Sequence, residues 1–278
     1  MKFKILGIIA CILILLSASS AATSNTNFDD NVPTWNVGDS WTYSIDDFTF
    51  DYEYEGQTIF VEGSIEDFTW TVESTEGSIY TVGFTGDISA NYDIYLSSSS
   101  TTFDVEGTFN PKYVKLTGTI MFTKTDLEIQ DVNAEIKGFT KATIAPIPIP
   151  LPIPIKVTVD GDLSTIFPLF DFPLSTDKFW TMPNLVATIR INAGGILGFI
   201  NVPITFTTEY PWIPFAFHCQ EKQDVTVEAG TFSAYRIQSL IGDFFDYYYA
   251  PTVGNLVKID ANMPNGDVHG ELKSTNRL

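Results

Sequence analysis

Histidine and cysteine are almost missing from this chain of 278 residues, which has two of each. The histidines, His218 and His269, belong to no recognisable motif. There is no Gly-x-Ser-x-Gly elbow and no His-Glu-x-x-His helix, so nucleophilic triads and zinc hydrolysis have no sequence support. Cys11 falls inside an apolar leader, which leaves Cys219 alone and excludes an intrachain disulfide in the mature chain. Basic residues are scarce as well: 15 Lys and Arg stand against 34 Asp and Glu, a formal charge of −19. A surface this acidic repels phosphate backbones, so nucleic acid is excluded as a partner. No Asn-x-Ser/Thr sequon occurs, and no stretch keeps a helical period.

The leader is the most informative segment present. Lys2 and Lys4 precede an apolar run from Ile5 to Leu16, and Ser17 to Ala22 are all small. This pattern predicts a signal peptide over 1–22 and an exported, extracytoplasmic domain over 23–278. Outside the cytoplasm, nucleotide cofactors are poor candidates, and no cofactor is expected.

Beyond the leader, alternation of period two dominates. Phe48, Phe50, Tyr52 and Tyr54 alternate with Thr49, Asp51, Glu53 and Glu55, the pattern of a strand with one aromatic and one polar face. Phe68-Trp70-Val72, Tyr80-Val82-Phe84, Tyr92-Ile94-Leu96, Val114 to Phe122 and Val225-Val227 repeat it. Turn signals separate these runs at Glu55-Gly56, Glu76-Gly77, Asn110-Pro111, Ala229-Gly230 and Asn265-Gly266. The expected fold is all-β: a large curved antiparallel sheet or half-barrel, with a β-sandwich as the alternative.

Proline occupies every second position from Pro146 to Pro154, with Ile147, Ile149, Leu151 and Ile153 between. In a strand, successive N–H groups point to opposite edges. All the missing donors therefore lie on one edge, and this rib, 146–155, can pair on one side only. A second regularity is the match of Trp35 to Thr42 with Leu174 to Thr181, an offset of 139 residues. It predicts two similar β-halves, 33–140 and 165–275, joined by the rib.

Candidate sites are few. Trp180, Phe199, Phe206 and Trp212 cluster around the glycines Gly194, Gly195 and Gly198, which permit close backbone approach. They are the expected lining of an apolar groove, against the alternative that they are core. Asp46-Asp47 and Asp160-Gly161-Asp162 offer hard oxygens on turns, but neither continues into a full calcium loop. No metal site and no catalytic residue are assigned. In His218-Cys219, a strand sends the neighbours to opposite faces.

Three stretches carry a resemblance. Trp35-Asn36-Val37-Gly38-Asp39-Ser40-Trp41-Thr42-Tyr43 opens the domain. Phe172-Pro173-Leu174 leads to Trp180. Asp224 to Ile237, with Val225-Thr226-Val227-Glu228-Ala229-Gly230-Thr231-Phe232 inside it, precedes Tyr247 to Lys258. Together they resemble a group of exported, mostly archaeal, β-rich proteins of uncharacterised function. More distantly the chain is similar to lipoprotein carriers of the LolA/LppX-like half-barrel type. The resemblance implies a curved sheet whose concave face holds a lipid or other hydrophobic ligand. The expected function is accordingly that of an exported non-enzymatic binding protein. The first alternative is a structural or adhesive surface protein with a solid core, whose partners are cell-surface proteins or polymers. A hydrolase of surface polymers ranks third.

Overall fold

The computed structural model describes residues 32–54, 57–97, 102–144, 147–167, 170–181, 186–195, 204–209, 216–240, 245–263 and 266–277. The signal-peptide reading of 1–22 lies outside them. The described residues form fourteen strands: β1 (Ser40–Tyr54), β2 (Gln57–Ser74), β3 (Ile79–Ser97), β4 (Thr102–Thr123), β5 (Ile129–Ile144), β6 (Ile147–Phe167), β7 (Lys178–Thr181), β8 (Val186–Gly195), β9 (Ile204–Glu209), β10 (Ala216–Val227), β11 (Gly230–Ser239), β12 (Phe245–Ala250), β13 (Asn255–Met263) and β14 (Gly266–Thr275). The described residues contain no helix. All strands join one antiparallel sheet in the order β7-β10-β11-β12-β13-β14-β1-β2-β3-β4-β5-β6-β8-β9. The sandwich alternative is thereby replaced by a single open sheet.

The order has a simple anatomy. β1 to β6 form one six-stranded meander, and β7 with β10 to β14 form another. The two join where β14 pairs with β1, from Trp41 opposite Thr275 to Phe48 opposite Val268. The β8–β9 hairpin leaves the second meander and adds to the free edge of β6 in the first. Covalent geometry then forces curvature. β7 and β8 are twelve strand spacings apart, about 58 Å in a flat sheet. Residues 182–185 link Thr181 to Val186, and five Cα steps reach at most about 18 Å. The sheet must curl until its two ends approach.

The two matched segments have the same local geometry. Asp39 N–H donates to Asn36 O (3.0 Å) and Lys178 N–H to Ser175 O (3.2 Å). Gly38 (φ 95°) and Asp177 (φ 62°) hold the left-handed position of the two turns. Each sends its N–H to the facing strand, at Val72 O (2.9 Å) and Cys219 O (2.8 Å) respectively. Each turn delivers a buried tryptophan, Trp41 or Trp180, to the start of a strand.

The rib behaves as its prolines dictate. β6 pairs with β5 along its length, with Pro154 opposite Phe139 and Pro152 opposite Lys141. Among the described residues its pairing with β8 runs from Ile155 opposite Gly195 to Leu163 opposite Ala187. Up to Pro154 the edge toward β8 lacks donors, and from Lys156 onward every second residue regains its N–H, within the stretch that pairs with β8.

Two turn signals act differently than expected. Asn110-Pro111 lies inside β4 as an irregularity between Phe109 and Val114 rather than as a turn. At Asn265-Gly266 a hairpin does form, but Met263 pairs with Gly266, so Gly266 is already in the strand and residues 264–265 make the connection.

The concave face is filled with aromatics. Trp35, Trp41, Trp70, Phe68, Phe122, Phe170, Phe217, Phe245, Tyr247 and Tyr249 are fully buried. Two segments outside the strands act as plugs. Before β1, Trp35 packs against Trp41 (5.6 Å between ring centroids), Tyr80 (4.7 Å) and Phe122 (5.5 Å). In the β6–β7 crossover, Phe170 packs on Tyr249 (5.1 Å) and Tyr247 (5.9 Å), and Phe172 on Tyr249 (5.7 Å). Leu174 is buried behind them, with its carbonyl accepting from Tyr235 Oη at 3.4 Å.

Candidate functional site

The inward residues of β1 run Tyr43, Ile45, Phe48, Phe50, with spacings of two, three and two. The slip leaves Asp46 and Asp47 both exposed. β2 does the same at Ile65, Phe68 and Trp70, where Asp67 takes φ 48°. The matching irregularities lie between Asp87 and Ala90 in the β3–β4 pairing and between Phe109 and Val114 in the β4–β5 pairing. Aligned bulges bend neighbouring strands together, and here they draw a crease across β1 to β5. Close approach is part of it. A Cβ on Gly138 would lie 1.8 Å from Tyr113 O, and one on Gly63 would lie 2.1 Å from Ser89 O.

On the outer face this crease is a groove of about 510 Å³, lined by Asp46, Asp47, Glu62, Ser64, Ser89, Asn91, Thr108 and Asn110, with Gly63, Ala90, Phe109 and Pro111. Its polar groups are partly engaged with one another. Asn91 Nδ2 donates to Glu62 Oε1 (3.3 Å), and Lys112 N–H donates to Asn110 Oδ1 (3.0 Å). Behind the groove Thr140 Oγ1 donates to Thr108 O (2.7 Å) and lies 2.9 Å from Tyr92 Oη. Burial raises the Tyr92 phenol above its usual range, against the lowering effect of Thr140. At the β1 end, Asp47 stands opposite His269 in register, and His269 Nδ1 lies 3.1 Å from Asp260 Oδ1.

Carboxylates, amides and hydroxyls on an open face can hold a polar partner by hydrogen bonds. Among the described residues, His269 is joined to Asp260 and to no hydroxyl or thiol by a hydrogen bond. Nor do the described residues contain a group of three or more His, Cys, Asp or Glu able to hold a metal. Asp160 and Asp162 are not on a turn. They lie within β6, opposite Asn133 and Asp131 of β5 and Arg190 and Thr188 of β8.

Of the four expected groove residues, only Trp180 has a described side chain. Trp180 is buried in β7, stacked on Phe217 at 5.7 Å, which is a core position. Phe206 pairs with Ile189 in the β8–β9 ladder, while Phe199 and Trp212 lie outside the described residues. His218 and Cys219 do point to opposite faces. Cys219 is fully buried, and the His218 ring stacks on exposed Phe179 at 4.3 Å with Asp177 3.4 Å from Nε2. The crease was recoverable from the sequence: two successive exposed carboxylates interrupting an alternating run mark a bulge. Comparison with family models, with curated proteins and with solved structures finds no match.

Proposed function

We propose that this chain is an exported, non-enzymatic structural or adhesive protein. A solid aromatic core supports it, and it meets its partners through the outer face of its long strands. The observation that carries this reading is the filling of the concave face by Trp35 and by the Phe170–Leu174 crossover. A carrier needs that face open, because a lipid-sized ligand asks for hundreds of cubic ångströms lined by apolar groups. The groove lined by described residues is polar and lies on the outer face. A lipid or other hydrophobic ligand, the function implied by the carrier resemblance, would have to use space other than the one these side chains fill.

Native mass spectrometry of protein purified from its own host tests the reading. The expected spectrum is the bare mature mass. A lipid retained at one equivalent through gel filtration would overturn the solid-core reading and restore the carrier.

A further inference from the structure

The floor of the outer-face groove is a straight row in register. Glu62 stands opposite Asn91, Asn91 opposite Thr108, and Thr108 opposite Lys141, so four adjacent strands each present a polar side chain along one line. Ser64 opposite Ser89 makes a second row beside it. Asp46 and Asp47 close the β1 end. Alternation keeps these side chains outward, because Val61, Ala90, Tyr92 and Phe109 between them pack on the core. Part of the row is free to bond a ligand: among the described residues no hydrogen bond engages the side chains of Asp47, Ser64, Ser89 or Thr108. Exposed rings flank the row. Phe60 lies two residues from Glu62, in the line of Asp93 and Glu106. Phe139 lies on the opposite side, two residues from Lys141. Exposed Tyr113 sits in the β4 irregularity, with its carbonyl against Gly138, the neighbour of Phe139.

We propose that this groove binds a neutral polysaccharide. A sugar ring carries hydroxyls around its rim and C–H groups on its two faces. Carboxylates, amides and hydroxyls in a row bond the rim, and exposed aromatic rings cover the faces with apolar area. The other ligand classes fit less well. The lining holds three carboxylates and no lysine or arginine, with Lys141 only at its β5 end, so a polyanion is disfavoured. Its apolar share, Gly63, Ala90, Phe109 and Pro111, is too small to hold a lipid. A peptide that adds as a strand needs an unpaired edge, whereas β1 to β4 are each paired on both sides. The size is adequate. A volume of about 510 Å³ falls within the range of roughly 300–1,000 Å³ for ligand sites. The row crosses β1 to β4, about 14 Å, on an open face that a polymer can traverse. The inference rests on the reading that partners meet the outer face, and not on how the core is filled.

Titration calorimetry tests it, with soluble dextran, mannan, laminarin and xylan as probes. The wild type is expected to bind at least one of them, equally at physiological and at higher salt, because a neutral partner offers no ion pair to screen. Asn91→Ala should weaken that binding about three- to tenfold, and Phe60→Ala with Phe139→Ala about tenfold. Phe179→Ala removes an exposed ring on β7 and should bind like the wild type. If Asn91→Ala melts early, Asp47→Asn reads the same groove through a side chain that no described hydrogen bond holds. Binding to none of the four glycans overturns the proposal, as does binding that the groove variants leave unchanged. Binding only to polygalacturonate or only to polylysine, and weakened by salt, would overturn it in favour of a charged polymer. The bare mature mass in native mass spectrometry would leave the solid-core reading standing in each of these cases, so the two fail separately.

Discussion

Arg277 shows how much a single side chain near the end of the chain can hold. Only 8% of it is exposed, and its Nε lies 3.2 Å from Asp39 Oδ2, in the turn that starts β1. Its guanidinium carbon sits 5.7 Å from the Trp41 ring centroid, and burial lowers its pKa from the usual arginine value. Its neighbour Asn276 adds bonds to Gly38 O (2.9 Å) and from Ser40 N (2.9 Å). Truncation would strand the Asp39 carboxylate, itself largely covered. Arg277→Met should therefore cost about 2–3 kcal/mol in urea unfolding, with little effect from the lost alkyl packing because methionine replaces it. The tryptophans differ from one another at this scale. Trp41 Nε1 donates to Val253 O (3.3 Å), whereas the buried indole N–H groups of Trp35, Trp70 and Trp180 find no acceptor among the described residues. Sequence alone could not separate them, because all four read as inward aromatics and differ only in what tertiary packing sets beside the ring nitrogen.

At the scale of the element, the strands of the first meander were legible in their alternation, and the one-sided pairing of the rib in its prolines. The crease has a sequence mark at Asp46-Asp47 but none at Asn110-Pro111, which resembles a turn and becomes a bulge only when β3 and β5 hold both sides of β4. Of the residues expected to line an apolar groove, Trp180 alone has a described side chain, and it packs on Phe217. An aromatic in a short edge strand has the same local pattern whether it faces a ligand or, as here, Phe217. The rib makes a prediction of its own. Pro152→Ala with Pro154→Ala restores two N–H donors to the edge turned away from β5 while leaving the β5 ladder intact. The double variant should keep its far-ultraviolet dichroism and its melting cooperativity, yet aggregate faster by light scattering, since unpaired donors on an edge strand template further pairing.

On the scale of the whole molecule, a core so rich in aromatics ties stability to tyrosine ionisation. Burial raises Tyr43 and Tyr247 well above the usual phenol value, and Tyr43 Oη also donates to Leu256 O at 3.2 Å. A raised folded-state pKa means that the stability from keeping these phenols neutral is whole below the free-tyrosine value of about 10. It is lost progressively as pH rises from there toward the folded values. Stability against urea should therefore decline steeply above about pH 10. Difference absorbance should show these two phenols ionising only with the unfolding transition. Their ionisation ahead of unfolding would mean that the core admits water.

The joining of β14 to β1 at the middle of the sheet also governs how the fold can be reached. The ladder there brings together residues as far apart as Ser40 and Asn276, 236 positions along the chain. From β1 to β6 and from β10 to β14 every neighbouring pair of strands is local, so these runs can zip by hairpins; β7 meets β10 only across the β8–β9 excursion, and the central seam is the longest loop closure and sets the pace. Until that seam forms, β1 and β14 are bare edges on two half-sheets in the same chain. Refolding is therefore expected to be slow and to lose yield as concentration rises, because an edge waiting for its own partner accepts another molecule's.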